Sequence, residues 1–274
     1  MNNFVDPAIL FFVFGVFAGA VRSNLEIPRS IAKFLSLYLL MALGLKGGFA
    51  LGKSGLNLEI GLSLGAALTM AFLVPALGYW FLKNRVSRYD AAAVAAAYGS
   101  VSAVTFVTAV QFLENMGITS GGHMAVAMVI MESPAIISAV LLANRLRHSM
   151  PSVQGGAPTV AVPSIRKILH ESFTDGAHLL LLGSLAVGFI SGESGKAMMQ
   201  PFSGDLFKGM LAFFLLDMGL LVAKNFKDAM RASKALLGYA VLSPFVHATI
   251  AFVIARLLHL PVADTALLMV LSAS

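Results

Sequence analysis

The most informative polar residues of this chain lie within an apolar segment. Residues 91–97 are almost all alanine, and a glycine set among hydroxyl side chains follows them directly. Small residues followed by such a stretch favour a helix that packs closely and then breaks. The N–H groups and positive dipole of a broken helix suit an anion, whereas its carbonyls and hydroxyls suit Na⁺. Ser100, Ser102 and Thr105 could supply oxygens for both an anion and Na⁺. Ordinary helix packing is the alternative interpretation.

Two carboxylates also lie in the middle of apolar segments. Glu132 is followed by Ser133 and Pro134, and a carboxylate at membrane depth costs about 2.5–3.5 kcal/mol unless it faces a cavity or a partner. Because Pro134 frees a backbone carbonyl one turn back, Glu132 and Ser133 form a candidate Na⁺ site. A structural pair with Lys or Arg, or a protonated acid, is the alternative. Asp217 is either a further coupling site or a contact within the bundle or between subunits.

The other reactive residue types indicate no enzyme. Cysteine is absent, and His123, His178 and His247 lack metal-ligand spacing, so we interpret them as packing or interfacial residues and expect no transition-metal site. No phosphate-binding loop, zinc-protease or nucleophile-elbow pattern occurs. We therefore expect no catalytic residue and no cofactor, with Na⁺ as coupling ion.

These polar residues must be positioned by membrane-spanning helices. Of the 274 residues, 58% are hydrophobic and 12% are charged, against about 45–50% and about 25% in soluble domains. The composition excludes a soluble enzyme and a nucleic-acid binder, and predicts an all-α integral membrane protein in the lipid bilayer. The predicted spans cover residues 8–22, 30–51, 59–82, 90–113, 121–143, 178–192, 204–224, 233–258 and 262–274.

The distribution of basic residues predicts the topology. If the N-terminus is outside and each span crosses once, 14 of the 19 Lys and Arg residues lie inside, as the positive-inside rule requires. The polar stretch 144–177 then becomes a cytoplasmic loop. This count also accounts for the net charge of +6 without nucleic acid as a partner.

The two halves of the chain resemble each other. Residues 15–19 match 188–192, residues 33–45 match 208–220, Pro75 matches Pro244, and Asp90 matches Asp264. The offsets are nearly constant, so we predict a first repeat at 1–148 with five spans, a linker at 149–177 and a second repeat at 178–274. Repeats with an odd number of spans lie inverted in the membrane. The symmetry adds Ser272 and Ser274 to the predicted substrate site, and leads us to expect a partial sequence that lacks about 50 residues and a tenth span.

The stretches 98–102, 131–135 and 215–220 resemble the sodium-dependent bicarbonate transporters of the SbtA type. The resemblance covers essentially the whole chain, although cyanobacterial members carry Asp at the position of Glu132 and a further Gly-Ser at Ala103-Val104. It implies ten spans in two inverted repeats of five, of which about nine are present here, divided into a core and a gate domain. It also implies Na⁺/bicarbonate symport by an elevator-like movement, a homotrimer and a PII-like cytoplasmic regulator. The family's bicarbonate and Na⁺ site maps onto Gly99, Ser100, Ser102 and Thr105, and the acid of its fifth span maps onto Glu132. We therefore expect substrate contacts at Gly99, Ser100, Val101 and Ser102 and Na⁺ contacts at Ser102 and Thr105, in a protein of the bacterial inner membrane.

Two other functions remain open at this point. The chain could be an inverted-repeat carrier for another small anion, such as an organic acid. It could instead be a membrane receptor or anchor that binds a soluble partner through the 144–177 loop and transports nothing.

Overall fold

The computed structural model describes residues 6–54, 57–132 and 176–273. Within these ranges the regular elements are all helical, and no β-strand occurs. The α-helices are α1 (Pro7–Ala20), α2 (Arg29–Ser54), α3 (Leu58–Leu82), α4 (Arg88–Gly99), α5 (Ala103–Asn115), α6 (His123–Glu132), α7 (Gly176–Met199), α8 (Phe207–Ala229), α9 (Lys234–Leu257) and α10 (Val262–Ala273). A π-helix, Gln200–Asp205, connects α7 to α8.

Five helical stretches in the described ranges are long and apolar enough to cross a membrane. They are Arg29–Lys53, Leu58–Leu82, Arg88–Asn115, Gly176–Ala229 and Lys234–Leu257. The helices α1, α6 and α10 are also apolar but shorter. The expectation of an all-α, multi-pass membrane protein is therefore confirmed, because about 20 apolar residues in a helix suffice to span the hydrocarbon core.

The sixth predicted span ends where the helical stretch α7 is interrupted. The sequence predicts residues 178–192, and Gly192 has the non-helical dihedral angles φ 58° and ψ −147°. Glycine adopts this conformation without the steric penalty of a side chain. A second helical segment follows the kink and continues to Met199.

The chain divides into two compact units, and each draws on both predicted halves. Unit 1 comprises Met1–Gly55 and Leu180–Ala232, and unit 2 comprises Leu56–Leu179 and Ser233–Ser274. Unit 1 thus holds α1, α2, most of α7 and α8, and unit 2 holds α3 to α6, α9 and α10. The predicted linker 149–177 lies almost entirely outside the described residues.

Glycines hold the helices of unit 1 together at two crossings. At the first, α1 packs against α8, and a Cβ on Gly15 would lie 3.1 Å from the Cα of Gly219. At the second, α2 packs against α7, and a Cβ on Gly48 would lie 2.9 Å from the Cα of Gly188. Such close backbone approach is the usual basis of helix association in membranes, where small residues permit dispersion contacts along the whole crossing.

In unit 2 the interrupted α4–α5 segment packs among the helices α3, α9 and α10. The helix α3 packs against α4, α9 packs against α3 and α10, and α10 packs against α3 and α5. Leu82, Ala91 and Tyr239 are buried at the centre of one cluster, with Tyr79 and Tyr98 packed around them. The predicted site residues from Gly99 to Glu132 and Ser272 all belong to this unit.

Candidate functional site

The predicted break is present between α4 and α5. The helix α4 ends at Gly99, Ser100 has the extended dihedral angles φ −80° and ψ 125°, and α5 begins at Ala103. Val101 is buried, while Ser100 and Ser102 are half-buried. Because the break lies within a stretch that is otherwise long enough to span a membrane, it brings backbone polar groups and two hydroxyls to membrane depth.

Ser102 begins α5 as its N-cap. Its Oγ accepts a hydrogen bond of 3.3 Å from the N–H of Thr105, and the hydroxyl of Thr105 donates to the backbone oxygen of Ser102 at 2.9 Å. Serine is a favoured N-cap because its side chain satisfies an N–H that the helix leaves unpaired. The two hydroxyl oxygens keep acceptor capacity, and the N-terminal dipole of α5 points towards Ser102. The arrangement is suited to an anion beside a cation.

The second predicted half of the substrate site lies at the end of α10. Ser272 is buried in the last turn of that helix, which packs against α5. Ser274 lies outside the described residues. The structure therefore brings α10 and the interrupted α4–α5 segment into one unit.

Glu132 has a histidine as its partner. Its Oε2 lies 2.5 Å from the Nε2 of His178, which belongs to the first turn of α7. The His178 side chain is 7% exposed and that of Glu132 is 30% exposed. Ser133 lies outside the described residues. The ring of His178 therefore contacts one oxygen of the Glu132 carboxylate.

Asp217 and Glu132 belong to different units of the chain. It is half-buried in α8 and belongs to unit 1, whereas Glu132 and the interrupted segment belong to unit 2. No group of three or more His, Cys, Asp or Glu side chains in the described ranges could hold a metal ion.

Sequence reasoning missed a buried polar network in unit 2. The Oδ2 of Asp264 accepts a hydrogen bond of 2.6 Å from the hydroxyl of Ser63, and lies 2.6 Å from the Nε2 of His123. All three side chains are buried, and they join the second turn of α3 to the first turns of α6 and α10. The only signal was the position of His123 and Asp264 near the start of apolar segments, where we interpreted the histidine as a packing residue and the acid as a mark of the repeat.

Comparison with known families assigns the chain. The model of the Na⁺-dependent bicarbonate transporter superfamily matches residues 7–274. The chain therefore belongs to this superfamily of membrane transporters, in agreement with the resemblance found in the sequence. No curated protein matches the chain.

Proposed function

We propose that this protein is an Na⁺-coupled bicarbonate symporter with an elevator-like mechanism. The observation that carries the proposal is the interruption of the α4–α5 segment at Ser100–Ser102, in a chain of the Na⁺-dependent bicarbonate transporter superfamily. Broken helices at membrane depth are the sites at which secondary transporters bind substrates and coupling ions.

The anion would bind at the N-terminal end of α5. The positive end of a helix dipole favours a negative charge, and Gly99, Ser100, Val101 and Ser102 surround the turn that leads into α5. The hydroxyls of Ser100 and Ser102 can donate to the oxygens of bicarbonate. In the proposed site, Ser272 and Ser274 contribute from the second half of the chain.

The Na⁺ would bind oxygens on the other side of the same interruption. The Thr105 hydroxyl already donates to the backbone oxygen of Ser102, so it offers its lone pairs outwards, and Na⁺ takes such hard oxygen ligands. Glu132 and Ser133 would supply the charge and a further oxygen. Asp217 is proposed as a coupling residue of unit 1, where it would respond to the movement of unit 2.

The division of the chain into two units supports the proposed movement. Every described candidate site residue except Asp217 belongs to unit 2. We therefore assign unit 2 to the proposed core domain and unit 1 to the proposed gate domain. The glycine crossings support the proposed inverted repeats, because α1 contacts α8 as α7 contacts α2. In the alignment of the two halves, α1 corresponds to α7 and α2 corresponds to α8.

Uptake measurements test the function directly. Cells that carry the full-length protein receive labelled bicarbonate in Na⁺ medium and in K⁺ medium. We expect uptake in Na⁺ only, and a strong reduction in Ser100→Ala at an unchanged amount of folded protein in the membrane. Uptake at the wild-type rate by a well-folded Ser100→Ala protein would contradict the proposed site.

Two further experiments separate the remaining functions. Unlabelled organic acids that displace bicarbonate from the carrier would favour transport of another small anion. Deletion within residues 144–177 leaves transport intact in a carrier and removes the output of a receptor. We also propose a homotrimer in the bacterial inner membrane, with the N-terminus outside and a PII-like regulator on the cytoplasmic side.

A further inference from the structure

A buried polar stripe lies along one face of α9. Tyr239, Ser243 and His247 follow each other at intervals of four residues, so they lie on the same side of the helix. Their exposed fractions are 7%, 5% and 2%. The other side of α9 is apolar and exposed, with Phe245 exposed by 71%. A polar face that is turned inwards from an apolar one marks a function in a membrane helix.

The stripe lies against α4 and α10, two of the shorter helices of unit 2. The ring centroids of Tyr98, Tyr239 and His247 are separated by 5.1–6.3 Å, and the Tyr98 hydroxyl donates to the backbone oxygen of Ala240 at 3.2 Å. His247 faces the backbone of Ser272. Tyr98 directly precedes Gly99, where α4 ends, and Ser272 lies in the last turn of α10. The stripe is therefore the neighbour of the proposed anion site.

Polar atoms without partners are concentrated at this place. Across the described ranges, six buried side-chain oxygen or nitrogen atoms have no hydrogen-bond partner, and four of them are here. They are the hydroxyls of Tyr239, Ser243 and Ser272 and the Nδ1 of His247. The Tyr239 and Ser243 hydroxyls face each other without reaching the geometry of a hydrogen bond. Since buried polar groups in folded proteins are nearly always hydrogen-bonded, such a concentration indicates a ligand.

The chemistry of the four groups defines that ligand. Hydroxyls both donate and accept hydrogen bonds, and an imidazole nitrogen does one or the other. None of the four groups is a carboxylate or an ammonium. They fit a small ligand that itself donates as well as accepts. Bicarbonate has an O–H, whereas nitrate and formate are planar oxyanions without one.

We propose that Tyr239, Ser243 and His247 form the face that determines the specificity of the anion site, on which a hydroxyl oxygen of Tyr239 or Ser243 accepts the one hydrogen bond that the O–H of bicarbonate donates. This inference rests on the proposed function. A site built around the hydroxyl of its substrate rejects an analogue without that hydroxyl, because the acceptors of the site then stay buried and unpaired. Oxyanions without an O–H are thereby excluded, although their charge and size suit the helix ends.

Competition in proteoliposomes tests this inference. The full-length protein takes up labelled bicarbonate along an Na⁺ gradient at constant pH, with unlabelled bicarbonate, nitrate or formate as competitor. The variants Tyr239→Phe and Ser243→Ala each remove one oxygen and keep the rest of the side chain. Thr249→Val is the matched control, because its exposed hydroxyl donates to Phe245 of its own helix.

We expect the KM for bicarbonate to rise about threefold to tenfold in the variant that loses the oxygen accepting this O–H, with little change in kcat. The inhibition constant for nitrate stays constant, so the preference for bicarbonate falls by the same factor. Unchanged KM and preference in both variants overturn the inference and leave the proposed function intact. Inhibition of the wild type by nitrate as strong as by bicarbonate also overturns it, without reference to any variant. Absence of Na⁺-driven bicarbonate uptake in the wild type overturns the proposed function itself.

Discussion

The Nε2 of His178 lies 2.5 Å from the Oε2 of Glu132, and this contact joins the two predicted halves of the chain. His178 is the first residue of the predicted second repeat, and Glu132 belongs to the last span of the first. The sequence analysis considered Lys or Arg as a structural partner for this acid, and the structure places a histidine there. Since the ring contacts one oxygen of the carboxylate, it restricts the orientation of that carboxylate.

His178 is thus a positioning residue for Glu132. We expect Glu132→Gln to lower Na⁺-dependent uptake at least about tenfold, as expected for loss of a coupling charge, and His178→Ala to raise the Na⁺ concentration for half-maximal uptake. His178→Gln should restore most of this affinity, because the Gln amide can donate to the same oxygen. The exposed Glu59 in the first turn of α3 provides the control Glu59→Gln. Equal Na⁺ dependence in His178→Ala and wild type would refute the positioning role.

Ser102 has both a structural and a functional role in the proposed site. Ser102→Ala removes the cap of α5 and should cost about 1 kcal/mol of stability, with a loss of uptake in addition. Ser233 caps α9 with the same hydrogen-bond distance of 3.3 Å, so Ser233→Ala should cost a similar amount and retain uptake. Thermal unfolding in detergent and labelled uptake measure the two effects. Similar uptake in both variants would show that Ser102 serves only as a cap.

The contact between α1 and α8 predicts opposite effects of alanine at two glycines of α8. A Cβ on Gly219 would lie 2.9 Å from the backbone nitrogen of Val16 and 3.0 Å from the Cα of Gly15. Because backbone atoms cannot yield, Gly219→Ala should lower the Tm by several degrees. Gly209 has nothing within 4 Å of such a Cβ, so Gly209→Ala should raise stability by up to about 1 kcal/mol. A Tm change of the same sign in both variants would contradict the close crossing.

The network around Asp264 predicts a large loss of stability. Asp264→Ala leaves His123 and Ser63 buried without this partner, and each buried polar group left unpaired costs about 1–3 kcal/mol. Ser63→Ala removes one hydrogen bond and should cost about 1 kcal/mol. Asp90, the counterpart of Asp264 in the first half, is exposed and accepts a hydrogen bond of 2.7 Å from the hydroxyl of the N-cap Ser87, so Asp90→Ala should cost no more than about 1 kcal/mol. Chemical unfolding of the purified protein compares the three, and equal effects of the two Asp substitutions would disprove the network.

Much of the fold could be predicted because its determinants are local. The predicted spans coincide with described helices within a few residues for α2, α3 and α9, since continuous apolar runs can satisfy their backbone in lipid only as helices. The interruption at Ser100–Ser102 was also predicted, because glycine and hydroxyl residues after a run of alanines change backbone preference at that point of the chain. The predicted end of the sixth span at residue 192 coincides with the non-helical Gly192 inside α7, because polar residues follow the apolar run at that point.

The sequence by itself determined the membrane class, the resemblance to the family and the position of the broken helix. Only the tertiary structure decided which polar residues meet. Glu132 and His178 are 46 residues apart, His123 and Asp264 are 141 apart, and Ser63 and Asp264 are 201 apart. Hydropathy and spacing indicate where each helix lies and which residues share a face. They do not determine which faces pack together, and this packing decides which polar side chains meet. The packing depends on close contacts such as that of Gly15 with Gly219. For this reason His123 and His178, which the sequence presents as ordinary packing residues, emerge as the partners of Asp264 and Glu132.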